Sequence, residues 1–70
     1  MTIPTRSEIL DFYAALRLAE VSVKDWCEAT GISTNLLYQE LGGHHQWVPS
    51  HAKMVREVSA DYRREMSEPE

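Results

Sequence analysis

His44, His45 and His51 cluster in one stretch of the chain, and Cys27 is its single cysteine. Imidazole and thiolate are the side chains that most often bind zinc, but structural zinc sites need four ligands at short paired spacings, which these residues do not follow. No metal or other cofactor is expected, and a lone cysteine excludes an internal disulfide. No serine, cysteine or lysine stands in a motif that couples a nucleophile to a base. There is no glycine-rich phosphate loop, and 70 residues leave little room for a deep pocket. The chain is therefore expected not to be an enzyme. What remains is recognition: ATGISTNLLYQELGG, Ala29 to Gly43, concentrates hydroxyl and carboxamide groups at Ser33, Thr34, Asn35, Tyr38 and Gln39.

Capping residues and apolar periodicity predict four helices to position those groups. Thr5 and Glu8 have capping-box spacing, and Ile9, Leu10, Phe12, Tyr13 and Leu16 supply an apolar stripe to about Ala19. Ser22 with Asp25 repeats the start signal for a short second helix, with Val23, Trp26 and Cys27 facing inward. Gly31 ends it, because glycine takes a left-handed conformation without a Cβ penalty. Ile32 returns to the core and Ser33 caps a third helix, whose inward face is Leu36, Leu37 and Leu41 and which Gly42-Gly43 terminate. Only Gly31 to Ser33 separate the second and third helices, a connection of helix-turn-helix length. After a connector in which Trp47 is expected to be buried, Pro49 and Ser50 open a fourth helix over residues 50–66, with 67–70 as an acidic tail. The fold class is thus all-α, a single small domain of about four helices spanning 1–70 and containing a helix-turn-helix.

The segment SVKDWCEATGISTNLLYQEL resembles the DNA-binding segment of TetR-type repressors, in which a short supporting helix, a Gly-apolar-Ser turn and a recognition helix with a Leu-Tyr pair follow at this spacing. TRSEILDFYAALRLAE is similar to the first helix of those domains. The likeness covers Thr5 to about Gly43, an isolated DNA-binding domain of the family without its ligand-binding domain. The resemblance implies a DNA-binding role for Ser22, Lys24, Ser33, Thr34, Asn35, Tyr38, Gln39 and His44. Thr34, Asn35 and Gln39 would approach base edges, with Asn35 able to pair with adenine. Ser22, Lys24, Ser33, Tyr38 and His44 would position the phosphate backbone. Cys27 falls where a small residue lets the two helices pack closely.

The expectation is a small transcriptional regulator, phage- or plasmid-like, that reads double-stranded DNA as a homodimer. A chain this short buries only roughly 60% of its unfolded surface, so a second copy is the natural reinforcement. Met54, Val55, Val58 and Tyr62 follow helical spacing along the fourth helix and need a cover; they form the expected dimer interface, with the other three helices of the chain as the alternative cover. The formal net charge of -4 points the other way. Up to Trp47, the cations Arg6, Arg17 and Lys24 face the carboxylates of Glu8, Asp11, Glu20, Asp25, Glu28 and Glu40, leaving few charges to displace counterions from DNA. The alternative is an acidic helix-turn-helix protein that binds the basic surface of a protein partner as an inhibitor, antirepressor or assembly factor. The opening residues show no basic leader before an apolar run, and no stretch is long enough to span a membrane. A cytoplasmic protein with no membrane association is expected.

Overall fold

The computed structural model describes residues 3–67, and its first three helices begin at the hydroxyls that the sequence nominates. They are α1 (Arg6–Leu18), α2 (Val23–Thr30), α3 (Thr34–Leu41) and α4 (Pro49–Ser67), with no strand among the described residues. Thr5 forms a reciprocal capping box: its Oγ1 accepts from the Glu8 N–H at 3.1 Å, and Glu8 Oε1 accepts from the Thr5 N–H at 2.9 Å. Two orphan donors of α1 are satisfied in this way. Ser22 caps α2 by accepting from Asp25 N–H at 3.0 Å. Residues 68–70, and with them most of the expected tail, lie outside the described residues.

The connections are tight because the helix ends close on themselves. At the end of α1, Val21 N–H donates to Leu16 C=O and Glu20 N–H to Arg17 C=O, the pattern of a helix stop with a left-handed residue. That residue is Glu20, at φ 57°, where a side chain costs roughly 1 kcal/mol that glycine would not. Gly31, at φ 78°, does the same work after α2 without that cost.

Phe12 and Leu16 of α1, Cys27 of α2, Ile32, Leu37 of α3, Trp47, and Ala52 and Val55 of α4 form the buried core. Phe12 meets Trp26 edge-on, with ring centroids 4.9 Å apart, an arrangement worth about 0.5–1.5 kcal/mol beyond the area it buries. The stripe expected on α1 is rotated. Phe12 and Leu16 set its inward direction with Ile9 beside them, whereas Leu10 is 59% exposed and Tyr13 also faces solvent. Leu10 precedes Phe12 by two positions, which turns it roughly 160° away from the core.

The fourth helix packs chiefly on α1 of its own chain. Arg56 Nε donates to Glu8 Oε2 at 3.1 Å, and Arg63 bonds both Asp11 and Ser7. This corrects the expected dimer surface. Val55 is fully buried inside the monomer, and Met54 and Val58 pack against that same core. The stripe that needed a cover finds it in the other helices of the chain. Met54, Val58 and Tyr62 are each only half-buried, so the stripe keeps part of its surface at the edge of the helix pair.

Candidate recognition surface

Helix α3 has two sides with different chemistry. Its period places Leu36, Leu37, Glu40 and Leu41 toward the protein and Asn35, Tyr38 and Gln39 toward solvent, with Thr34 half-buried between them. Ser33 fixes where the helix begins, its Oγ accepting from Leu36 N–H at 3.4 Å. Ahead of it, Ile32 N–H donates to Cys27 C=O at 3.0 Å, which anchors the connection from α2. Cys27 itself is wholly buried, and burial pushes its thiol up while a hydrogen bond from Thr34 opposes the shift. A buried, protonated thiol of this kind packs helices together and is not reactive.

Glu40 is the only charged residue of α3, and its side chain has no exposed surface. Glu40 Oε2 accepts from Val48 N–H at 2.7 Å, and His51 Nδ1 lies 2.8 Å from Glu40 Oε1. A carboxylate offers only acceptors, so the imidazole nitrogen donates. Val48 C=O accepts from Ala52 N–H at 3.0 Å and so starts the α4 hydrogen-bond ladder. The carboxylate therefore sits on the positive end of that helix.

In the sequence Glu40 counts only among the acidic charges and His51 only among three clustered histidines; the fold brings the two together. The signal was present in the spacing. Glu40 lies three positions after Leu37 and four after Leu36, within the inward stripe, and a carboxylate there must find partners. His51 was missed because its partner is eleven residues away and in another helix.

The remaining candidates divide by element. Ser33, Thr34, Asn35, Tyr38 and Gln39 share the start and outer face of α3. His44 lies just beyond its end: its N–H donates to Gln39 C=O at 2.8 Å, and its ring covers Gly42, where a Cβ would come within 3.1 Å of His44 Cδ2. Ser22 and exposed Lys24 stand at the start of α2, which packs on α3. The Ser22 and Ser33 hydroxyls accept in their caps and keep their own protons for donation.

Beside this face runs a strip of α1 that the sequence reading did not single out. Burial pushes the Tyr13 phenol up, and the Tyr38 phenol adds to the shift. Arg6, Ile9 and Leu10 line a cleft of about 430 Å³ with Leu41, Gly42 and Gly43. Among the described residues, Arg6, Arg17 and Lys24 enter no ion pair. Nor does any group of three or more His, Cys, Asp or Glu among them stand together as a metal site. No helix among them is long and apolar enough to cross a membrane. Comparison with family models, with curated proteins and with solved structures finds no match to this chain.

Proposed function

We propose that this protein is a DNA-binding regulator in which α2, the Gly31 turn and α3 act as a helix-turn-helix, with α3 entering the major groove. The observation that carries the reading is the burial of Glu40. Although the chain is acidic, the outward stripe of α3 bears no charge, because its one carboxylate is held against α4 beneath it. A neutral stripe of Asn35, Tyr38 and Gln39 meets a polyanion without repulsion and offers donors and acceptors for base edges. In this reading Thr34, Asn35 and Gln39 face bases, while Ser22, Lys24, Ser33, Tyr38 and His44 hold phosphates. The likeness to an isolated TetR-type DNA-binding domain supports the same assignment. Reading two half-sites requires two copies, with recognition helices roughly 34 Å apart.

Retention of a random duplex pool at low salt tests the reading. Folded protein is expected to retard DNA. Asn35→Ala should lose selectivity, whereas Lys24→Ala should weaken binding to every sequence and lower the salt slope by about 1. A folded protein that retards no duplex, yet captures a protein with a basic surface, would replace this reading with the inhibitor alternative.

A further inference from the structure

Helix α1 carries two separate exposed apolar faces, and their flanking charges have opposite sign. Arg6, Leu10, Tyr13 and Arg17 recur at i, i+4, i+7 and i+11 and form one line along the helix. That line borders the end of α3, where Arg6 and Leu10 share a cleft with Leu41, Gly42 and Gly43. Its two guanidiniums are roughly 16 Å apart along the axis, and neither is in an ion pair among the described residues. On the flank toward α4, Ala15, Leu18 and Ala19 meet Val58 and Tyr62 in a cleft of about 380 Å³, edged by Asp61 and Glu65. Leu18 is 61% exposed there, as Leu10 is 59% exposed on the first face. Arg64 holds Asp61 in an exposed pair one turn away, while Glu65 enters no ion pair among the described residues.

We infer that the occupant of each face is the other face of a second copy. The basic strip around Leu10 docks in the acidic cleft around Leu18, so that copies associate head to tail. Neither face is suited to itself, because a two-fold contact would set Arg6 and Arg17 against their own equivalents, or Asp61 and Glu65 against theirs, and like charges repel. Because two different faces of the chain pair, the contact is heterologous, and a heterologous contact continues into a row unless its rotation closes a ring. The Asp61–Arg64 pair is no obstacle, since exposed pairs at this spacing are worth only about 0.3–0.5 kcal/mol. Each face is small, so association is weak and depends on concentration and salt. The inference does not rest on DNA binding and is tested without DNA.

Sedimentation of the full chain at rising concentration in low salt tests it, with Leu10→Ser and Leu18→Ser chosen because both leucines are exposed. Circular dichroism first establishes that both variants keep the fold. Wild-type mass is expected to grow beyond that of a dimer and to fall back when salt is raised. Each variant alone should stay monomeric, because each has lost one of the two faces. Their equimolar mixture should form a one-to-one complex and stop there, since the remaining faces are complementary and the chain is then capped. Wild-type protein that stays monomeric throughout would overturn the inference. So would a variant that still associates alone, or a mixture that does not pair. Arg6→Glu with Arg17→Glu should also abolish association. If that change leaves association intact, the basic strip is not the docking face and the inference falls.

Discussion

Along the seam between α1 and α4, Arg56 reaches Glu8 and Arg63 reaches Asp11 at the surface, whereas under α3 the Glu40 carboxylate has no exposed surface at all. The two regions handle charge by different physics. Seam pairs stay partly open to solvent, most of all on the arginine side, so they gain little from each other and lose that little to salt. Glu40 has given up water, so its stability depends on both hydrogen bonds and on the end of α4 beneath it. The difference teaches that a net charge of -4 does not describe the face a partner meets. One of those negative charges is inside, and several others are matched along a different side of the molecule.

Removing Glu40 should have the largest effect. Glu40→Ala strands the Val48 N–H and the His51 donor in a buried place and is expected to cost about 3 kcal/mol, read as a fall in the urea midpoint. A loss below that of a seam variant would break the comparison. Ser59 sharpens it with the opposite sign, because its hydroxyl on α4 is buried and has no hydrogen-bond partner among the described residues. Ser59→Ala should raise stability by up to about 1 kcal/mol, since an unsatisfied polar atom is removed and helix propensity improves. Arg63→Ala should cost less than about 1 kcal/mol, and high salt should erase most of that cost in wild type.

The smallest effect concerns acid. The Thr5 backbone N–H, helped by Arg56, holds the Glu8 carboxyl below its ordinary 4.5 despite partial burial. A depressed folded value means that the unfolded chain binds the proton first as pH falls. Glu8 therefore contributes stability above its unfolded value, and that contribution is lost as pH drops through the folded one. Glu8→Gln should flatten the acid limb of a stability–pH profile below about pH 4.5. An unchanged acid limb would show that the cap and Arg56 do not favour the ionised form.

The helices were legible in the sequence because their start and stop signals are local. Thr5 with Glu8, Ser22, Gly31 and Ser33 each act within four residues, and each does what its chemistry predicts. The left-handed stop at Glu20 was less legible, since no glycine marks it. The face of α1 was misread by the order of its apolar residues: Leu10 and Tyr13 share helical spacing with Ile9 and Leu16, and only packing decides that Phe12 is central. Val55 was misplaced for the same reason, because a stripe says that a cover exists and not which chain supplies it. In the candidate surface, the polar stripe of α3 was legible from its period. The partners of Glu40 were not, because they arrive from a connector and a helix that only the fold brings close.

The outer stripe of α3 has a further consequence. Asn35, Tyr38 and Gln39 make no side-chain hydrogen bond to any described residue, while the inward stripe beneath them carries the packing and the buried carboxylate. What the helix displays is thus separable from what keeps it folded. Mutation can rewrite those three positions at little risk to the scaffold, so a new preference can be acquired one side chain at a time.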